Sequence, residues 1–316
     1  MATQIIENTE HNTLIEDTSH AEASLANPSG KIELTPHTPA IHAETLFHIG
    51  AFPVTNSLLA TWIVVLVLIG LGITIRTSIK QIPGKLQTFF EMVIDFISDL
   101  CDQITGNHAL SKKIAPIAIT AFLFILLNNW LGLLPGVGSI GKLVMQDGHY
   151  IIMPYLRGGT ADVNTTLALS LFAVIAANIF GVISIGFFNV INKYINVGIM
   201  VKMVKNIRKD PTQLVVAPIT FFVGLLEIIG EIAKVASLSF RLFGNVFAGE
   251  VLLASMSTMV AFLVPTPFLL LEVLVGVIQA FIFTTLTVVY FTLAAQTHDD
   301  HDEAHAPAGE HAKLHT

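Results

Sequence analysis

Apolar residues run through this chain in long blocks separated by short polar stretches, and the length and period of each block indicate what it forms. The first block, NSLLATWIVVLVLIGLGITIRTSIK over about 55–79, holds the roughly 20 apolar residues a helix needs to cross a bilayer. LQTFFEMVIDFISDLCDQIT, 86–105, has a different rhythm. Glu91, Asp95, Asp99 and Asp102 recur at steps of four, four and three and line one helical face, while Phe89, Val93, Phe96, Ile97 and Leu100 fill the other. That pattern predicts an amphipathic helix lying in the interface or on a partner. Its acidic face makes protein contact, rather than anionic lipid alone, the expected attraction.

A third helix is expected over about 112–134, then an irregular glycine-rich loop through TADVN at 160–164, and a fourth helix over about 165–190. Asp210-Pro211 is a helix-start signal, an N-cap acceptor followed by proline at the first helical position. The fifth helix would run from there to about 262. At ~1.5 Å per residue it is too long for one perpendicular span, so it must be tilted, broken or bent. VPTP at 264–267 separates it from a sixth helix over about 268–296. The expected fold class is an all-α polytopic membrane protein: five membrane-embedded helices plus one amphipathic interfacial helix, within a membrane domain spanning 49–296.

Composition agrees. Of 316 residues 53% are hydrophobic and 12% charged, with mean hydropathy +0.71, whereas soluble domains are about a quarter charged. The net charge of −7 hides a segregation. Residues 1–48 carry seven acidic side chains and one base, Lys31, and read as a flexible polar leader. Residues 297–316 carry five acids and one base, Lys313, and read as a disordered, histidine-rich tail. The N-terminus has no basic start before an apolar core, so no signal or transit peptide is expected. Cys101 is the single cysteine, which excludes an intrachain disulfide and thiolate metal sites. No metal, cofactor or nucleic acid is expected.

Basic residues set the orientation. Arg76, Lys80, Lys85, Lys112, Lys113, Lys193, Lys202, Lys205, Arg208 and Lys209 share one side if 86–105 does not cross. Only Lys31, Lys142 and Arg157 fall on the other. The positive-inside rule then puts the N-terminus outside and the C-terminus inside.

The remaining bases before the tail, Lys234 and Arg241, lie within the fifth helix, and Glu227, Glu231, Glu250 and Glu272 also sit in apolar segments. At about 100° per residue, Glu227, Glu231, Lys234, Arg241 and Asn245 fall on one stripe, with Glu250 on roughly the opposite face. Glu272, Gln279 and Tyr290 form a stripe on the sixth helix. Two readings of Lys234 stay open: an ordinary ion pair with Glu231 or Glu227, or part of an ion path. Asn128, Asn129, Asp162 and Asn164 suit helix caps and interhelical hydrogen bonds. Arg241, Glu250 and Glu272 are harder to explain structurally, because ionisable groups at membrane depth mark function by default.

Arginine narrows the chemistry. Its guanidinium does not give up a proton in a protein, whereas a buried lysine readily does. A carboxyl kept protonated by lipid would lose its proton on reaching such a fixed cation. A permanent cation between carboxylates on different faces reads as a proton path with a barrier in it.

SLSFRLFGNVFAGE at 237–250, VIQAFIFTTLTVVY at 277–290 and TADVN at 160–164 closely resemble the family of F-type ATP synthase a subunits, over about residues 45–296. The resemblance implies a stator subunit whose last two helices hug a rotating ring of c subunits. It implies b subunits of the peripheral stalk and the other ATP synthase subunits as further partners. With no targeting peptide expected, a bacterial inner membrane is the expected compartment, although organelle-encoded members also lack such a peptide. In such a subunit Arg241 matches the arginine facing the ring carboxylates, and Asn245 and Gln279 match polar residues near it. Ser237, Glu227 and Lys234 fall on polar positions, and Glu250 matches the carboxylate of the outer half-channel. The resemblance thus implies an outer half-channel with Glu250 and Glu272, and an inner one near Glu227 and Glu231. At Glu272 the chain departs from the best-known bacterial members, which have a histidine there; a glutamate can also relay protons. ATP chemistry would belong to partner subunits.

Two other classes remain. A self-contained transporter would usually carry inverted repeats, and helices five and six have no counterpart in the first four. A membrane anchor would leave every buried charge silent to substitution. Proton versus sodium stays open, because the rotor carboxylate is on another chain.

Overall fold

The computed structural model describes residues 43–78, 84–134, 136–138, 140–146, 149–187, 213–259 and 263–295. The Asp210-Pro211 start signal, most of the basic stretch before it, and nearly all of the leader and tail lie outside them. The described chain is helical apart from two small hairpins: α1 (Asn56–Ser78), α2 (Lys85–Thr105), α3 (His108–Leu133), α4 (Val163–Ile185), α5 (Gln213–Met259) and α6 (Pro265–Ala295). Four stretches among the described residues are long and apolar enough to cross a membrane: 56–77, 108–133, 163–185 and 265–295. Helix α5 is not among them; its 47 residues, with Glu227, Glu231, Lys234, Arg241 and Glu250 spread along them, form one unbroken helix. At ~1.5 Å per residue it measures about 70 Å, more than twice a bilayer's hydrocarbon core; of the three expected ways to fit it, the single helix leaves tilt or bending rather than a break.

Helix α6 sits centrally, packed against α2, α3, α4 and α5, while α4 also packs on α5 and α1 leans on α3. The core joins Ile97 and Cys101 of α2, Ile114, Ala118, Phe122 and Ile125 of α3, Leu238 and Leu242 of α5, and Phe283, Val288 and Phe291 of α6. Small residues set the close crossings, as expected where lipid gives no hydrophobic drive for helices to associate. Gly181 of α4 lies on the backbone of Ala294, and Gly276 of α6 lies on Asn129 and Trp130 of α3. Trp130 Nε1 donates to the Val273 carbonyl at 3.2 Å, tying α3 to α6.

The amphipathic helix behaves as its pattern predicts, with one refinement. Ile97 and Cys101 are fully buried against α3 and α6, and Asp95 and Asp99 stay exposed. Phe89 and Phe96, expected on the packed face, remain 53% and 52% exposed. Its apolar arc is wider than its own subunit covers.

The loop expected to be irregular between α3 and α4 contains a hairpin, β3 (Gly141–Gln146) and β4 (His149–Pro154), paired antiparallel from Gly141↔Pro154 to Gln146↔His149. The dipeptide Asp147-Gly148, between two runs rich in strand-forming residues, is the sequence signal for it. A second hairpin, β1 (Thr45–Ile49) and β2 (Phe52–Thr55), begins within the last residues assigned to the leader and leads straight into α1. It turns at Gly50, whose φ of 65° suits glycine. Asn56, fully buried, joins the two hairpins: its Nδ2 donates to the Pro154 carbonyl at 3.4 Å and to Glu44 Oε2 at 3.5 Å.

Candidate functional site

Helix α5 carries the stripe predicted from its period, and neighbouring helices give each polar residue a distinct setting. Toward its N-terminal half, Lys234 Nζ lies 2.6 Å from Glu231 Oε1, and Asn178 of α4 donates to Glu231 Oε2 at 3.3 Å. The ammonium also stands 5.2 Å from the centre of the Tyr290 ring on α6, a cation–π contact. Lys234 is thus paired with Glu231, and side chains of three helices converge on the pair. Glu227 lies one turn earlier, half-buried.

Arg241 follows two turns later, half-buried, between exposed Ser237 and exposed Asn245. Its Nη2 donates to Ser237 Oγ at 3.5 Å, the limit of a hydrogen bond. Among the described residues no carboxylate lies within ion-pair distance of it. Asn245 Nδ2 donates to Gln279 Oε1 at 2.7 Å, bridging α5 to α6 one turn beyond the arginine. Gln279 is 2% exposed, and its Nε2 has no hydrogen-bond partner among the described residues.

Beyond this bridge lies a cavity of about 50 Å³, lined by Asn129, Asn245, Glu250, Glu272 and Gln279 among others. That volume holds a few waters, and the lining offers them several polar partners. Glu272 reaches it by lying against Gly249, where any β-carbon would collide with its carboxyl. Asn129 is held by both neighbours, since its Nδ2 donates to the Gly276 carbonyl at 3.3 Å and Thr160 Oγ1 donates to its Oδ1 at 2.7 Å.

Glu250 is where the sequence reading was incomplete. It stands on the face away from Arg241, as the period requires, but a partner occupies that face. Arg157 donates to Glu250 Oε2 from Nε at 3.0 Å and from Nη2 at 2.8 Å, with the guanidinium side chain 6% exposed. The sequence places Arg157 only among the outer loop charges. A lone arginine beside two glycines just ahead of TADVN was the available hint, because glycines permit close backbone approach. Here Gly158 packs on Gly132 with about 3.1–3.5 Å separations at the would-be β-carbons. A second cavity of about 250 Å³ opens on the loop side of this pair, lined by Val137, Gly138, Pro154, Leu156, Arg157 and Glu250 among others.

The remaining candidates hold the frame. Asp162 is the N-cap of α4, its Oδ1 accepting from Asn164 N at 3.1 Å and from Asn164 Nδ2 at 3.4 Å. Asn128 Nδ2 donates to the Phe124 carbonyl at 3.0 Å, and its Oδ1 lies against Gly159. Neither Asn128, Asp162 nor Asn164 lines the small cavity. Thr166 and Ser239 meet at 3.2 Å between α4 and α5. Among the described residues no cluster of three or more His, Cys, Asp or Glu could hold a metal ion.

The family model of the ATP synthase A chain matches residues 58–292. ATP synthase subunit a of Gloeobacter violaceus is 33% identical over 249 residues, covering 78% of this chain and 86% of the relative. That of Syntrophobacter fumaroxidans is 34% identical over 240 residues, covering 75% and 82%. The sodium ion specific subunit a of Propionigenium modestum is 33% identical over 243 residues, covering 76% and 73%.

Proposed function

The chain belongs to the ATP synthase A chain family, and from that membership we propose that it is the proton-conducting stator subunit of an F-type ATP synthase. It carries ions within the membrane and performs no covalent catalysis itself. Its partners are a ring of c subunits, the b subunits of the peripheral stalk, the remaining ATP synthase subunits and the bilayer. It resides in a bacterial inner membrane, N-terminus outside and C-terminus cytoplasmic, with α5 embedded beside the four apolar spans.

One contrast carries this reading. The Glu231–Lys234 and Arg157–Glu250 pairs are satisfied inside the chain, whereas among the described residues Arg241 has only a long contact to Ser237. A guanidinium at membrane depth needs a counter-charge, and a carboxylate brought by a rotor subunit supplies one. Protons enter past Glu250 and Glu272, reach the rotor beside Asn245 and Gln279, and load a ring carboxylate. After nearly a full turn that carboxyl meets the fixed charge of Arg241 and releases its proton, which leaves past Glu227, Glu231, Lys234 and Tyr290. Arg241 also keeps the two half-channels from joining.

Sodium is the competing ion. The Propionigenium relative is named as sodium ion specific, and two carboxylates with three amides around one cavity could coordinate a metal cation. The test is ATP synthesis by the reconstituted complex under a proton gradient, with and without added sodium. Synthesis at full rate without sodium supports the proton reading; an absolute sodium requirement overturns it. Full coupling in Arg241→Ala complexes would overturn the stator reading altogether.

A further inference from the structure

Arg157 takes no part in the path just described, yet it is the one buried cation among the described residues, 6% exposed on a loop. That loop is fixed from both ends. Tyr155 N donates to the Ile140 carbonyl at 3.0 Å, Asn56 Nδ2 to the Pro154 carbonyl at 3.4 Å, and Ala161 N to the Gly158 carbonyl at 3.0 Å. The guanidinium arrives on Glu250 from a rigid support. Its Nε and Nη2 both donate to Oε2, while Oε1 lies toward Gly158, 3.9 Å from where a β-carbon there would stand.

The two cavities on either side of this pair have three lining residues in common: Gly132, Glu250 and Leu253. Of these only Glu250 can bind or release an ion. Resting on the outer half-channel reading above, we infer that Arg157 is a positioning residue for ion entry: it pins Glu250 in the wall between the outer and inner cavities, so that ions pass from one to the other by way of that carboxylate. The fork of the guanidinium is suited to this, since two donors on one oxygen fix direction as well as distance. A lysine would supply charge without the fork. Removing the cation leaves a half-buried carboxylate without the Arg157 charge, which favours its turning toward water and opening the wall.

The test uses the whole ATP synthase complex in liposomes, with Val275→Cys as a reporter because Val275 lines only the inner of these two cavities. The expected result is that a membrane-impermeant methanethiosulfonate reagent on the outer face labels this cysteine about tenfold faster when Arg157→Gln is added. Arg157→Lys, which keeps the charge and most of the volume, should give an intermediate rate, and is read in its place should Arg157→Gln not assemble. Arg157→Glu and Glu250→Arg should each lose ATP-driven proton pumping, and the double exchange should recover at least about threefold over either one. A residue that merely supported the loop would leave the labelling rate unmoved and gain nothing from the exchange, and either result overturns the inference. Parental pumping in Glu250→Gln would overturn the outer path itself. Lost pumping in Glu250→Gln with parental pumping in Arg157→Gln would overturn only the role of Arg157.

Discussion

Gly249 and Glu272 occupy one space: a β-carbon on Gly249 would fall within the Glu272 carboxyl group, so α5 and α6 approach here because one side has no side chain. The glutamate is thereby held over the small cavity beside Glu250. Gly249→Ala should displace it, at a cost of about 1–3 kcal/mol for overpacking, and proton pumping should drop about tenfold or more. Shortening the glutamate in the same chain, with Glu272→Asp, should restore part of the rate. Pumping assays on the single and double variants decide it, and a harmless Gly249→Ala would mean that the carboxyl's place is unimportant.

Glu272 itself should be needed as an ionisable group. Glu272→Ala removes one of the two carboxyls at the cavity while relieving, not adding, crowding. Proton-driven ATP synthesis should fall well below parental, with ATP hydrolysis by the detached catalytic sector unchanged. Near-normal synthesis would remove Glu272 from the path.

Arg241 should tolerate no replacement. Arg241→Ala should abolish coupled synthesis and permit a passive proton leak, because on the proposed path its fixed charge is what keeps the two half-channels apart. Arg241→Lys should also be impaired by about 10²-fold or more, since a lysine in lipid can neutralise and lacks the planar fork. Synthesis and leak rates measured on the same liposomes separate the two effects.

The Asn245–Gln279 bridge should matter more for transport than for stability. Gln279→Leu costs the 2.7 Å hydrogen bond, about 1 kcal/mol, but also removes a buried Nε2 that has no partner among the described residues. Thermal stability of the complex should therefore change little while pumping falls several-fold. A large loss of stability with transport per assembled complex intact would show the bridge to be structural.

Cys101 should be inert at neutral pH. Burial first, and the Asp102 carboxylate second, push its thiol up to about 11. Alkylation in the intact complex at pH 8 should run about 10²-fold below that of an ordinary exposed thiol, rising about tenfold per pH unit toward pH 11. The folded state favours the neutral thiol, so this contribution to stability is complete below the unfolded thiol's pKa and is lost as pH rises through the folded one. Rapid alkylation at pH 8 would show α2 detached from α3 and α6.

Much of this was legible in one dimension because its causes are local. The four-four-three spacing of Glu91, Asp95, Asp99 and Asp102 fixes a helix face whatever the helix packs on. The apolar blocks set the candidate spans, and the place of Arg241 along α5 follows from counting. Asp162 as an N-cap was readable for the same reason, since a cap is made with its own helix.

What the sequence alone determined, then, was the membrane class, the helices and the stripe of charges on α5, all properties of periods shorter than ten residues. Tertiary structure alone decided which charges find partners. Arg157 and Glu250 are 93 residues apart, and Asn129 meets the Gly276 carbonyl across 147. Nothing in the local pattern of either partner encodes such meetings, because they depend on how whole helices cross. Those crossings are set by small residues at a few points, Gly181 on Ala294, Gly276 on Trp130 and Gly249 on Glu272, where the lack of a side chain lets backbones approach closely enough to enclose polar groups in lipid.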